Sequence, residues 1–163
     1  MSTPSQTVGP FFSIGLADPA QHELVPDGPI RIEGRVLDGA SEPVPDAVVE
    51  IWQADASGDY RPDFGWGRCT TSDEGGYGFI TIKPGSVSGQ APHVMVLVFA
   101  RGLLKPVLTR LYFPDEAAAN AADPVLAGVP PDERATLVAI PEGDVLRFDI
   151  WLQGDDQTGF FSL

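Results

Sequence analysis

Short runs rich in Val, Ile and aromatic residues recur along this chain, and most stop at Gly, Pro, Asp or Ser. The runs are Ile30 to Leu37, Ala47 to Ala54, Arg68 to Thr71, Tyr77 to Ile82, His93 to Phe99, Val107 to Phe113 and Leu146 to Leu152. Runs this short and this β-branched fit strands and are too brief for ordinary helices. The 18 glycines and 16 prolines are scattered between the runs, where they act as turn signals. Several runs alternate between two faces. In Arg147-Phe148-Asp149-Ile150-Trp151-Leu152 the residues Phe148, Ile150 and Leu152 share a face, the pattern of a half-buried antiparallel strand. Many short strands with turns between them predict an all-β chain folded as a β-sandwich. Trp52, Phe79, Phe99, Tyr112 and Phe148 are expected to fill its core, and Tyr77 lies close to a turn with the same expectation. Helix is expected only over Asp115 to Ala122 and around Pro130 to Arg134. Residues 1–29 are polar and Pro-dotted, without periodicity, and read as an extended arm at a subunit interface. Residues 30–163 form the core domain, with no linker or repeat.

Bulk properties narrow the function. With 163 residues and 43% hydrophobic content the chain can bury a real core. Its formal net charge of -13 makes nucleic acid and anionic membrane surfaces poor partners. No Lys or Arg precedes Arg31, and no apolar run approaches the roughly 20 residues of a membrane span. A cytoplasmic location is expected. Cys69 is alone, so no internal disulfide forms, and it reads as a strand residue rather than a nucleophile.

The chain carries two histidines, His22 and His93, and three tyrosines, Tyr60, Tyr77 and Tyr112. It has no Cys-x-x-Cys pair, no His-Glu-x-x-His motif, no phosphate loop and no nucleophile elbow. A His-rich metal site is therefore excluded. A site of Tyr60, His93 and carboxylates stays open, although nothing in the spacing favours it. The 23 acidic residues single out no acid/base pair.

Particular strings add more. The amino-terminal arm reads Thr3-Pro4-Ser5-Gln6-Thr7-Val8-Gly9-Pro10-Phe11-Phe12, and the second run passes through Trp52-Gln53-Ala54-Asp55 to Tyr60. Gly67-Arg68-Cys69-Thr70-Thr71, Thr81-Ile82-Lys83-Pro84-Gly85, Ala91-Pro92-His93, Phe99-Ala100-Arg101-Gly102 and Thr109-Arg110-Leu111-Tyr112-Phe113 follow in order. Arg147-Phe148-Asp149-Ile150 lies near the end. Together they resemble the intradiol ring-cleaving dioxygenases over nearly the whole chain. The resemblance implies a β-sandwich and a ferric iron held by two Tyr and two His, which activates a bound catecholate for attack by dioxygen.

Carried over position by position, the ligand set is incomplete. Tyr60 stands at the first ligand position and His93 at the third, but Val87 replaces the second Tyr and Met95 the second His. An Arg that the family places shortly before the His pair corresponds to Gln90. An aliphatic side chain cannot bind iron, and a soft thioether suits ferric iron poorly. The expectation is a chain that is not catalytic by itself and binds no metal. Tyr60 and His93 would be relics, free to hydrogen-bond each other. Some family members pair two homologous chains, one iron-bearing and one iron-free, in a higher oligomer of αβ units, and the arm and the Phe-Ala-Arg-Gly string look like those of the iron-free chain. By that resemblance Thr7, Val8, Gly9, Pro10 and Arg101 line the partner's pocket, where Fe(III) is bound and a small aromatic acid is cleaved. Two other readings compete. One is a self-sufficient dioxygenase acting on another catechol, which would need replacements for Val87 and Met95. The other is a non-enzymatic transthyretin-like module, suggested by Gly34 to Gly39 and Pro43 to Val49, which leaves the remaining strings unexplained.

Overall fold

A computed structural model describes residues 2–162. One sheet contains β4 (Gly76–Thr81), β1 (Ile30–Leu37), β8 (Val145–Arg147) and β7 (Ile140–Glu142) in that order, and β9 (Ile150–Trp151) also pairs with β1. The second sheet runs β3 (Trp66–Thr70), β2 (Val48–Gln53), β5 (His93–Phe99), β6 (Val107–Tyr112). The predicted β-sandwich is the fold observed. Alternation decides which side chains enter it. Ile32 and Val36 of β1 face inward while Arg31, Glu33 and Arg35 face solvent, and Val94, Val96 and Val98 of β5 are buried against them.

The pairing of β1 with β4 sets a tyrosine opposite a glycine, Tyr77 against Gly34. The Tyr77 ring lies over Gly34, and its hydroxyl donates a 2.6 Å hydrogen bond to the Phe148 carbonyl. A Cβ at position 34 would stand 1.9 Å from that same carbonyl oxygen and 2.9 Å from the Tyr77 ring, so only glycine allows the approach. The insertion explains a departure from the sequence reading. Residues 146–152 do not form one antiparallel strand. They make two short parallel pairings with β1, at Val145–Arg147 and Ile150–Trp151. Between them the Asp149 carboxylate takes the place of a ladder partner, accepting from Arg35 N and Arg147 Nε at 2.8 Å each. The expected shared face survives the break: Phe148 and Ile150 are buried and Leu152 packs on the same core.

A second, smaller apolar cluster of Ala91, Tyr112, Leu126, Val129 and Leu137 lies beneath the helical stretch. The helix expected over 115–122 is a 3-10 turn, Pro114–Glu116, followed by α2 (Ala117–Ala122). The turn expected near Pro130 is α4 (Pro131–Arg134), and α3 (Pro124–Ala127) and a 3-10 turn at Ala135–Leu137 were not foreseen. Asp123 organises this stretch. It is fully buried, and its carboxylate accepts from Val125 N, Leu126 N and Ala91 N, at 2.8 Å each. The arm is not uniformly extended. It contains α1 (Phe12–Leu16) and a 3-10 turn (Pro19–His22), and it joins the edge of β4 where Leu24 N donates to the Ile80 carbonyl at 2.9 Å. No helix among the described residues is long and apolar enough to cross a membrane.

Tyr77→Phe should lower stability by about 1–3 kcal/mol, because the buried Phe148 carbonyl loses its side-chain donor. Urea unfolding measures the loss, and an unchanged midpoint would show that the bond contributes nothing.

Candidate functional site

Loop contacts at one end of the sandwich connect the stretches that carry Tyr60 and Val87. Gln53 is fully buried at the end of β2, where its amide donates to the Ile82 carbonyl at 2.9 Å and accepts from Thr81 Oγ1 at 2.9 Å. Beyond it, the Asp55 carboxylate accepts from Ser57 N and Asp59 N, and Gly85 N donates to the Asp55 carbonyl. The Trp-Gln-Ala and Lys-Pro-Gly strings are thus hydrogen-bonded to each other. They hold Tyr60 and Val87 at neighbouring loops. Val87 closes a tight turn onto Gln90, whose N–H donates to the Val87 carbonyl at 2.8 Å.

Tyr60 is half-buried and its ring stacks on Trp52 with centroids 4.7 Å apart. Trp52 is in register with Met95 on one side and Trp66 on the other, so these residues share the outer face of their sheet. That placement corrects one expectation: Trp52 is 47% exposed and is not core. Phe99, on the same face, is half-buried, whereas Phe79, Tyr112 and Phe148 are buried as foreseen. Cys69 lies half-buried in β3, and burial pushes its thiol up, away from the reactive thiolate.

His93 is buried, and its Nδ1 donates to the Ala91 carbonyl at 2.8 Å. The hydrogen bond anticipated between Tyr60 and His93 does not form. Each has another partner, a backbone carbonyl for His93 and the Trp52 ring for Tyr60. His93 also faces Tyr112, its cross-strand neighbour, with ring centroids 5.8 Å apart.

A cation stands among these groups. Arg110 is paired with Met95 across the β5–β6 ladder. Its Nη1 donates to Gln90 Oε1 at 2.7 Å and lies 3.4 Å from the Tyr112 hydroxyl, while its guanidinium covers the Phe161 ring. Gln90, where the sequence reading looked for an Arg, instead accepts a hydrogen bond from Arg110. Burial raises the Tyr60 hydroxyl above its ordinary pKa, opposed by the Arg110 charge. Burial lowers the His93 imidazole; its bond to Ala91 opposes this, and Arg110 adds to the lowering. Both groups are neutral at pH 7. In the sequence Arg110 stood within the Thr109-to-Phe113 string, with nothing there to tie it to Gln90 or Tyr112.

These residues do not fit a ferric ion. The set comprises one neutral phenol, one imidazole, an aliphatic side chain and a thioether, with a guanidinium bonded at their edge. Among the described residues no group of three or more His, Cys, Asp or Glu converges on a metal position.

The second predicted set lies at the other end of β5. Thr7 Oγ1 accepts from Gly102 N at 2.8 Å, which brings the arm and the Phe-Ala-Arg-Gly string together across 95 positions of sequence. Phe12 packs on Phe99 with centroids 5.6 Å apart. Val8 is half-buried while Gly9 and Pro10 are exposed, and Phe11 stands 78% exposed. Arg101 is 54% exposed and ion-paired with Asp46 at 2.6 Å, an acidic partner the sequence reading missed. The six residue steps of β5 separate His93 from Phe99 by about 20 Å at the rise of a strand. Arg101 and the arm therefore do not belong to the Tyr60–His93 cluster.

Known proteins place the chain. The family model described as Dioxygenase matches residues 16–154. A protocatechuate 3,4-dioxygenase alpha chain from Burkholderia cepacia is 41% identical, over 99% of this chain and 97% of its own. The beta chain of the same name from that organism is 36% identical, over 79% of this chain and 66% of its own. Among solved structures, the dioxygenase domain of a carbohydrate-binding fusion protein from Streptomyces sp. SirexAA-E superposes with a TM-score of 0.65 at 26% identity, covering 93% of this chain and 98% of that one. A family match over most of the chain, a relative above 40% identity at full length and a shared two-sheet fold agree: the chain belongs to the intradiol dioxygenase family.

Proposed function

We propose that this chain is the iron-free, alpha-type subunit of a two-chain protocatechuate 3,4-dioxygenase. It acts with a homologous iron-bearing chain in the dioxygen-dependent cleavage of protocatechuate to 3-carboxy-cis,cis-muconate. The observation that carries the reading is the state of its own site, where Val87, Met95 and the Arg110 guanidinium stand in place of a full ligand set. Similarity to both alpha and beta chains supports an αβ assembly in which the partner carries the oxidoreductase chemistry. A cytoplasmic location belongs to the same reading.

This chain contributes binding and orientation. Thr7, Val8, Gly9 and Pro10 present a short, partly exposed arm, and Arg101 stands beside it through the Thr7–Gly102 bond. Both are remote from this chain's own former site, so a pocket in the neighbouring chain is the place where they act. Protocatechuate carries a ring carboxylate, which a guanidinium binds in a fork. With a net charge of -13 the chain would otherwise repel such an anion, so one local cation at the pocket has a clear use.

The isolated chain should take up no stoichiometric ferric iron and stay colourless. Val87→Tyr with Met95→His should still bind iron poorly, because Arg110 opposes a second cation beside it, and adding Arg110→Gln should raise uptake. Metal analysis with visible tyrosinate absorption reads both results, and about one iron per unmodified isolated chain would refute the reading.

In the assembled enzyme, Arg101→Ala removes a charge-assisted contact worth about 1.5–3 kcal/mol, which corresponds to roughly a ten- to hundredfold loss of kcat/KM for protocatechuate. Catechol, lacking the carboxylate, should lose much less. Equal losses for the two substrates would mark Arg101 as scaffold.

A further inference from the structure

Asp46 is a carboxylate that its own surroundings leave half-satisfied. Its side chain is 14% exposed, Oδ2 stands 2.6 Å from Arg101 Nε, and Oδ1 is buried with no hydrogen-bond partner. Taking a carboxylate out of water is unfavourable unless a cation goes with it. Arg101 is the cation that Asp46 meets, so the burial of Asp46 has its compensation in Arg101.

The backbone on both sides is held firmly. Thr71 Oγ1 donates to the Val44 carbonyl at 2.7 Å and accepts from Ala47 N at 3.0 Å, clamping the turn that carries Asp46. Thr71 N also donates to the Ala47 carbonyl, and Ala47 is fully buried. The Arg101 loop is fixed by the buried Ala100 on one side. On the other, Gly102 takes φ +88°, a left-handed conformation that favours glycine, and its N–H is bonded to Thr7. Asp46 and the arm thus grip the Arg101 loop from two sides. Among the described residues the Asp46 ion pair at Nε is the polar contact of the Arg101 guanidinium, and neither Nη is engaged.

We propose that Asp46 is a positioning residue for Arg101. Its charge, ion-paired at the Nε side, holds the guanidinium in place and leaves the Nη pair free for the carboxylate of an aromatic acid bound in the neighbouring chain. The inference rests on the reading of Arg101 given above. A forked Arg–carboxylate contact depends on the plane of the guanidinium, and a long flexible side chain must lose rotamer freedom to present it. A fixed carboxylate at Nε imposes that loss before substrate arrives. Asp46 offsets part of the attraction of Arg101 for an anion, and in exchange fixes its direction.

The test uses the assembled enzyme and two substrates, protocatechuate and catechol. Asp46→Asn keeps the shape and removes the charge. It should raise KM for protocatechuate about tenfold, with kcat and the catechol parameters little changed. In an Arg101→Ala background the same substitution should cause no further loss, because the two residues act as one unit. Asp46→Glu provides a second route if the Asn variant fails to assemble, since it retains the charge on a longer stem and should show the same selective rise in KM. Selectivity unchanged by substitution of Asp46 while Arg101→Ala abolishes it overturns the proposal. So do additive losses in the double variant, or equal losses on both substrates. If Arg101→Ala itself leaves selectivity intact, the reading of Arg101 has failed, and the role of Asp46 falls with it.

Discussion

A buried side-chain amide joins the two sheets of this sandwich and places its loops. Gln53 ends β2 in one sheet and bonds to Thr81 and Ile82 at the end of β4 in the other. A buried amide costs free energy unless its donors and acceptor are matched, and here the partners come from the opposite sheet, so the two layers are locked in one register. The Trp52-to-Tyr60 loop leaves from one side of this link and the Lys83-to-Gln90 segment from the other. At the far side of the same sheet pair, the Tyr77–Gly34–Phe148 contact splits the last strand and fixes its path. The loops that carry Tyr60 and Val87 are therefore well organised, although the side chains beside them do not suit a ferric ion.

Electrostatics separates the two ends of β5. At the His93 end, Arg110 supplies positive charge among a phenol, an imidazole and two apolar groups, which disfavours a second cation there. At the Phe99 end, Arg101 is half-exposed and held by Asp46, while an exposed arm with Phe11 at its surface lies alongside. The first cation is half-buried and bonded within its own chain, and the second faces outward. An internal cation at one end and a presented cation at the other suit the proposed role in a neighbour's chemistry.

Most of the fold was legible in the sequence, because strand alternation and turn residues report directly on which face is buried. Ile30–Leu37 and His93–Phe99 were read with their observed bounds, since each is an apolar run closed by turn residues. The break between β8 and β9 was not legible. It arises from a tyrosine on another strand reaching over a glycine, and local periodicity carries no trace of such a contact. Trp52 was misassigned to the core because an aromatic in a strand looks the same on either face of a sheet. The expectation of an incomplete ligand set came from Val87 and Met95, whose side-chain chemistry is plain in the sequence. Arg110 and Asp46 could not, because each gains its meaning from a partner distant in sequence: Gln90 and Tyr112 for one, Arg101 for the other.

The central claim is that this chain gives a neighbouring iron site its arm and its cation, and gives it no metal. The most direct measurement removes the arm. An assembly built with this chain lacking residues 2–10 should keep the full iron content of the pair and lose turnover of protocatechuate in an oxygen-uptake assay. Full turnover without the arm, or loss of iron along with it, would contradict the account.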